Sequence, residues 1–437
     1  MSAEASPLSC DIVVRRAAVS GLGVVDLAAR DGRWVAIERD STLVGDREVD
    51  ARGCLTTPPL VDSHLHLDSV LTAGRPRLNA SGTLFEGIAI WGELKETLSP
   101  EDIVSRATEV VRWSVAQGTL FIRAHADVSA KNRAPLMGLL RLRDEAADLA
   151  TIQVTAFPQD GIYSDPANES LLEDAVRAGV DCIGGIPHFE PTSELGLKEV
   201  KRVFELAAGS GCLIDIHCDE TDDPNSRFLE VVADLTHRHG MSGRVTASHC
   251  TAMGSYEPYY SSKVHALLAQ AGVSIVVNPF ANSLIQGRLD NYPKRRGFAQ
   301  MKELLAAGVN VAIGNDVVMD PWYLMGRADA LQAAWLALHF TYMSGVEEIP
   351  KLLDCVTHHG AKALALADGY GLQVGRPANC VVFDAKDAIE ALRLGAVRRF
   401  VIRHGVVVAE TLPSTSTVMG NAVDFRWPPM IGPTANC

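Results

Sequence analysis

The chain has 437 residues, 47% of them apolar, and a formal net charge of −13. So acidic a protein repels a phosphate backbone, and its one compact basic run, Lys294-Arg295-Arg296, is too short to reverse that, so no nucleic acid is expected as a partner. That run reads as a solvated or subunit-contact loop. No segment supplies the roughly 20 uninterrupted apolar residues of a membrane span, and the start of the chain lacks the basic and apolar regions of a signal peptide. Nine scattered cysteines without a C-x-x-C suit a reducing compartment. A globular cytoplasmic protein is expected.

In chain order, residues 11–16, 21–28, 33–38 and 47–55 read as short alternating strands, consistent with a half-buried sheet. The middle of the chain has a different texture. Apolar runs recur at 60–67, 119–127, 152–159, 182–188, 213–220, 244–250, 273–279 and 309–316. Longer stretches of helical spacing lie between them, such as 100–117, 169–178, 197–209, 225–239 and 262–272. Eight β-runs separated by helices predict a parallel (β/α)8 barrel, the TIM-barrel architecture. Strand texture returns at 379–383 and 398–408, with Gly405 where a hairpin turn needs it. The expected organisation is α/β: a barrel over residues 57–370 and a small β-sandwich assembled from residues 1–56 and 371–437, the latter including a tail.

The reactive residues fall at or near the C-terminal ends of the barrel runs: His64, His66, His125, Gln159, His188, His217, His249 and Asp316. Barrel enzymes gather catalytic groups at that face, because the loops there converge on one mouth. Side chains two apart on a strand point the same way, so His64-Leu-His66 directs two imidazoles together. With 13 histidines in the chain, chance alone gives roughly 0.4 such pairs, so the pair counts only if partners exist. His237-Arg-His239 ends a helical stretch and has none. His64 and His66 have His217, in Ile214-Asp-Ile-His217-Cys-Asp-Glu220, and Asp316, in Ile313-Gly-Asn-Asp316. Three imidazoles and a carboxylate suit one borderline divalent ion, Zn2+ or Fe2+, with a position left for water. Glu220 is placed to shuttle that water's proton to a ring nitrogen, and His249 to polarise or deprotonate the water.

With these strings in view, the chain resembles the amidohydrolase superfamily and, within it, the cytosine deaminases. The likeness spans nearly the whole chain. It rests on His64-Leu-His66-Leu-Asp68, Ser81-Gly-Thr-Leu84-Phe-Glu-Gly87, Phe157-Pro-Gln159, Ile186-Pro-His-Phe189, His217-Cys-Asp-Glu220, Ala247-Ser-His249, Tyr292-Pro-Lys-Arg-Arg-Gly297 and Asp320-Pro-Trp322. The resemblance implies one metal ion on His64, His66, His217 and Asp316. It implies that Glu220 protonates the ring nitrogen beside the reacting carbon while His249 and Asp316 assist the water. Gln159 and the backbone carbonyl of Leu84 then hold the amide edge of the ring, and Trp322 and Phe157 wall the pocket. Relatives of this kind are commonly multimers, so a homo-oligomer is expected. The fourth run lacks the lysine that bridges two metals in binuclear members, which with Glu220 points to deamination.

The chain departs from the cytosine deaminase pattern at two places. Val317 stands where those enzymes carry a second acidic residue after the metal-ligand aspartate, and Asn315 replaces the histidine before it. A carboxylate is costly to desolvate against a methyl group, whereas a valine favours one by about 0.8 kcal/mol per buried methylene-sized group. The expected reaction is therefore hydrolytic deamination of a cytosine, with 5-methylcytosine to thymine as the lead. Alternatives are amidohydrolysis of isoguanine, a creatinine-like ring, a triazine or a lactam, and, from another class, a non-catalytic homologue that only binds its ligand.

Other signals are weaker. His188-x-Glu190 imitates half of a different zinc-deaminase signature, but no P-C-x-x-C follows it. Gly369-x-Gly371 reads as turn chemistry, and neither G-x-S-x-G nor a P-loop occurs. His125 and Asp127 read as support behind the metal ligands, and His358-His359 as a surface pair.

Overall fold

The computed structural model describes residues 9–366 and 369–426. The chain start and the tail from 427 onward, which belongs to the expected C-terminal segment, lie outside the described residues. The chain divides into a compact unit made from both ends, up to Thr57 and from Leu372, and a second unit over Pro58–Gly371.

The first unit begins with β1 (Cys10–Val19), β2 (Gly23–Arg30), β3 (Arg33–Glu38) and β4 (Gly45–Asp50), ordered β3-β2-β1-β4. The β1–β4 pair is parallel and the other two pairs are antiparallel. A short strand, β5 (Thr56–Thr57), follows. The second unit then supplies β6 (Leu60–Leu65), β7 (Thr119–Asp127), β8 (Thr151–Phe157), β9 (Cys182–Gly185), β10 (Leu213–Cys218), β11 (Val245–His249), β12 (Ser274–Val277) and β13 (Asn310–Ile313). After it, β14 (Cys380–Phe383), β15 (Arg398–Arg403) and β16 (Val406–Glu410) return to β5, giving the order β16-β15-β14-β5. Ile12, Val14, Leu27 and Trp34 of one sheet share a buried cluster with Cys380, Val382 and Ile402 of the other, which is the core of a sandwich. Val13 and Ala28, of opposite parity to their neighbours Ile12, Val14 and Leu27, face a separate small cluster together with Cys10 at the strand's start, as the two-residue period of a strand requires.

The eight central strands are parallel and lie in sequence order, so the chain forms a (β/α)8 barrel with antiparallel-rich sheets from its ends. Helices between the strands start and stop on local chemistry. Pro100–Ala116 opens with Pro at its first position and the Ser99 hydroxyl accepting the Asp102 N–H. Ser193–Ser210 begins at a Thr192 cap and ends at Gly211, whose φ of 78° suits glycine. The barrel is closed by site residues: the His66 N–H donates to the Asp316 carbonyl at 2.9 Å, and the Asp316 N–H to the His64 carbonyl at 2.7 Å.

Several strands are shorter than their apolar runs. The run at 182–188 is a strand only through Gly185; a 3-10 turn, Pro187–Phe189, follows. The Ile186 N–H leaves the ladder for the Glu199 carboxyl, and Pro187 has no N–H to give. The run at 213–220 stops at Cys218, because Asp219 is left-handed, with φ 51°. The run at 309–316 stops at Ile313, before Asp316 at φ 67°. The basic run at 294–296 organises its own loop rather than simply facing water. Arg295 pairs with Asp290 at 2.7 Å, and Lys294 donates to the Gly287 carbonyl at 3.0 Å. His358 is exposed, but His359 is half-buried, with Nδ1 3.1 Å from the Val311 carbonyl. No helix of the described residues is long and apolar enough to cross a membrane.

Candidate metal centre

His64 lies on β6, His66 one residue past it, and His217 on β10, while Asp316 follows β13. All four are buried, and one ligand atom from each lies within 4.8 Å of the others. Asp316 Oδ1 is 3.3 Å from His64 Nε2 and 3.4 Å from His66 Nε2, and His66 Nε2 is 3.1 Å from His217 Nε2. Four donors about 2.0–2.1 Å from one centre, arranged tetrahedrally, would stand roughly 3.3–3.4 Å apart, so the observed spacings fit a common ion. Burial, reinforced by neighbouring imidazoles, holds His64, His66 and His217 well below the usual imidazole range, in the neutral form that ligates. Burial also pushes the Asp316 carboxyl up to about 8; a cation among these donors offsets that cost.

Behind the cluster, Ser248 Oγ donates to Asp215 Oδ1 at 2.7 Å and lies 3.0 Å from His64 Nδ1. Since the hydroxyl proton goes to Asp215, the Ser248 oxygen accepts from His64 Nδ1–H, which leaves the Nε2 lone pair facing the cluster. His125, read from the sequence as support, lies beside His64 with ring centroids 3.8 Å apart. It forms a second potential donor group with His64 and Asp215. Asp127 accepts from Trp91 Nε1 at 2.8 Å and from Lys95 Nζ at 3.0 Å, away from the ligands.

Glu220 and His249 are brought together. His249 Nδ1 lies 3.0 Å from Glu220 Oε1, both groups being buried. Burial alone would lower His249, but the Glu220 and Asp316 carboxylates outweigh it and raise the imidazole to about 9. Burial would likewise raise Glu220, yet His249 beside it keeps the carboxyl below its ordinary value. The pair is thus an ionised acid and its cation. His249 and Asp316 are both left-handed non-glycine residues, at φ 70° and 67°, a backbone state that concentrates at functional sites.

A pocket is lined by His66, Leu84, Gln159, His217, Glu220, His249, Ala281, Ile285, Asp316, Val317 and Trp322. It therefore gathers nine of the eleven residues singled out from the sequence; His64 lies fully buried behind it, and Phe157 is the other exception. Trp322 enters the pocket past Gly87: a Cβ there would stand 2.6 Å from the indole Nε1. Phe157, expected as a pocket wall, is not among the lining residues; its ring stacks on His217, with centroids 3.9 Å apart. Asn315 clamps the barrel seam, its backbone and side-chain N–H groups donating to Asp62 at 3.0 and 2.7 Å.

The sequence reading missed Asn278 and Asn282. Asn282 Nδ2 lies 3.3 Å from Glu220 Oε1 and 3.0 Å from His249 Nδ1, and Asn278 Nδ2 is 3.2 Å from His249 Nε2. Two asparagines four apart, beginning at the end of the seventh strand, were the available signal. Ile285 and Ala281, on the same short helix Pro279–Ile285, form the apolar side of the pocket.

Neutral imidazoles, a buried carboxylate and an ion-paired glutamate at the mouth of a (β/α)8 barrel are the arrangement of a metal-dependent hydrolase. The chain belongs to the Amidohydrolase family, which it matches over residues 47–409. It is a hydrolase of C–N bonds, in a family whose cofactor is a divalent metal. A crystal structure of 5-methylcytosine deaminase from Klebsiella pneumoniae liganded with 5-fluorocytosine is similar at a TM-score of 0.91 and 40% identity, covering 94% of this chain and 100% of that one. Pterin deaminase of Rhizobium rhizogenes is 30% identical over 408 residues, 92% of either chain. N-isopropylammelide isopropyl amidohydrolase of a Pseudomonas species is 27% identical over 409 residues, 92% of this chain and 97% of that one.

Proposed function

We propose that the chain is a metal-dependent aminohydrolase of a free cytosine, with 5-methylcytosine, converted to thymine and ammonia, as its lead substrate. The observation that carries the reading is Val317, which lines the pocket together with Ile285 and Ala281. That edge offers methyl groups to a 5-substituent, and a buried methyl there is favoured by about 0.8 kcal/mol. The likeness to a 5-methylcytosine deaminase at 40% identity supports the same substrate class.

His64, His66, His217 and Asp316 would hold one divalent ion, Zn2+ or Fe2+, which supplies a Lewis acid and lowers the pKa of water. Glu220, held as a carboxylate by His249, takes a proton from the water and gives it to the ring nitrogen beside the amine-bearing carbon, which opens that carbon to addition. His249, already protonated against Glu220, steadies the developing charge, and Asp316 passes the added oxygen's remaining proton to the amino group. The amino group gains a proton and leaves as ammonia, so one water enters and one oxygen replaces one nitrogen. Gln159 and the Leu84 carbonyl hold the amide edge, and Trp322 covers a face of the ring. Phe157 acts from behind, by holding His217. Eight unpaired cysteines among the described residues accord with a cytoplasmic site of action. Assembly into a homo-oligomer is part of the same reading and is checked by light scattering.

The test is ammonia release and ultraviolet absorbance, with metal-replete enzyme, on cytosine, 5-methylcytosine and isoguanine side by side. The expected result is a preference in kcat/KM for 5-methylcytosine of about tenfold or more, lost in Val317→Asp. Preference for cytosine would keep the chemistry and discard the role of Val317. No turnover of any of the three would overturn the substrate class and send the search to pterins and to N-alkyl ammelides, rings on which relatives act.

A further inference from the structure

Two carboxyls that the reaction does not use lie between the loop bearing Gln159 and the turn bearing His188. Glu199, on the helix Ser193–Ser210, is fully buried. Its Oε1 accepts the Ile186 N–H, and its Oε2 the Ile162 N–H at 3.5 Å. Glu190 follows the turn Pro187–Phe189 and is 7% exposed. Its Oε1 accepts the Tyr163 N–H at 2.8 Å, while its Oε2 is buried and receives no donor among the described residues.

The two carboxyls accept from successive backbone N–H groups, those of Ile162 and Tyr163, which sets them side by side. Two ionised carboxylates cannot share a dry site, whereas one O–H between them satisfies both. Glycines make room for the pair. A Cβ on Gly185 would stand 2.9 Å from Glu199 Oε1, and one on Gly161, at φ +82°, 3.0 Å from the Glu190 carboxyl. The charged groups on this side are engaged elsewhere. Lys198 Nζ sits 3.9 Å from the centre of the Tyr163 ring, and Arg202 pairs with Glu169 and Glu173. Tyr163 itself is pushed up to about 12, by burial first and by neighbouring carboxylates, and so remains neutral.

We propose that Glu190 and Glu199 share a single proton, and that this clasp is a positioning device for the substrate-binding loop. Protonated, it ties residues 161–163 to residues 186–190 and so fixes the turn that carries Gln159. Deprotonated, two buried charges repel and the loop loosens. Burial and the neighbouring carboxylate hold Glu199 well above the usual carboxyl range. The folded chain therefore keeps a proton that the unfolded chain has released. The clasp's stabilisation is full below the ordinary carboxyl range and is lost as pH rises through the folded value. The consequence for substrate rests on the reading of Gln159 above; the clasp does not.

The experiment compares the wild-type holoenzyme with Glu199→Gln and Glu190→Gln from mildly acidic to alkaline pH. In Glu190→Gln the amide nitrogen, at the place of the unpaired Oε2, supplies permanently the donor that the shared proton supplies only while it is bound; Glu199→Gln supplies it too, at the loss of one acceptor for the Ile186 or Ile162 N–H. Amide hydrogen exchange is followed in peptides covering 159–163 and 186–190, each variant being compared with wild type at the same pH so that intrinsic base catalysis cancels. In acid the proteins should exchange alike. In alkali the wild type should exchange about tenfold faster, as expected for the loss of one hydrogen bond in a buried setting. Its KM on the accepted heterocycle should rise with pH at nearly constant kcat, while the variants' KM stays flat.

Equal exchange in wild type and variants at every pH would overturn the clasp. A difference in exchange with parallel KM profiles would overturn its positioning role. If no heterocycle is turned over, exchange alone decides, so failure of the proposed function is not mistaken for failure of the clasp. If Glu199→Gln does not fold, Glu190→Gln carries the comparison, because it places the same donor from the opposite side.

Discussion

Two polar layers are buried in the barrel, one above the other along the strands, and they follow opposite rules. In the deeper one, Arg123 is fully buried and uses all its nitrogens. It donates to Asp215 and Thr246 at 3.0 Å, to Gln153 at 3.0 and 3.1 Å, and to the Ala363 carbonyl at 3.0 Å. Two residues further along the same strand the rule changes. Both ring nitrogens of His125, Nε2 of His64 and Nδ1 of His217 are buried without a hydrogen-bond partner among the described residues. Leaving such groups unpaired costs folding free energy, and only a ligand recovers it. A satisfied layer holds the barrel; an unsatisfied layer awaits something. The difference marks the site without reference to any motif.

If that division is real, changes in the upper layer should cost chemistry and changes in the lower one stability. The largest effect belongs to Glu220→Gln. It keeps the shape of the side chain but removes the carboxylate that faces His249 and, in the proposed mechanism, moves the proton. Turnover should fall by about a thousandfold or more, while metal content and melting temperature stay near wild type. Ammonia release and elemental analysis of the same preparation check this. Retained turnover would remove Glu220 from the mechanism.

Next in size is Arg123→Met, which leaves Asp215 buried without its cation. Breaking a buried pair in this way costs about 3–5 kcal/mol, read as a lowered midpoint in denaturant or heat. The protein that does fold should carry its full complement of metal, because Arg123 touches none of the ligands. Loss of metal at unchanged stability would show that the two layers are one.

How much of this was legible in the sequence follows from the same contrast. The barrel was legible because eight apolar runs separated by helical stretches have few other solutions. The candidate ligands were legible because each stands at or near the end of such a run. The ends of the strands were not, because Asp219, His249 and Asp316 turn left-handed without being glycine. Phe157 was assigned to the pocket from its place beside Gln159, but strand alternation cannot tell which imidazole a ring will stack on. Asn278 and Asn282 carry no charge, and their partner His249 lies 29 and 33 residues away. Glu190 looked like half of an unrelated motif, and its pairing with Glu199 depends on how a turn folds back on a helix. The contribution of the deeper layer was hidden for the same reason, since Arg123 meets Asp215 across 92 residues.

Ser248 sits on the seam and tests the comparison most finely. Its single hydroxyl proton goes to Asp215 in the satisfied layer, and its oxygen accepts from His64 Nδ1–H in the unsatisfied one. Ser248→Ala removes both bonds at once, but not with equal consequence. Asp215 keeps Arg123 at 3.0 Å, so stability should fall by only about 1 kcal/mol, the net value of one hydrogen bond. His64 keeps nothing at Nδ1 and is free to carry its proton on Nε2, the atom that faces Asp316 at 3.3 Å. A protonated Nε2 cannot ligate, so metal affinity should fall by about 10–100-fold, as when the outer partner of a ligating histidine is lost. Competition with a chelating indicator measures it, and turnover should recover when metal is added in excess. Wild-type affinity in this variant would mean that His64 is oriented by packing alone, and that the relay from Asp215 through Ser248 belongs to the deeper layer only.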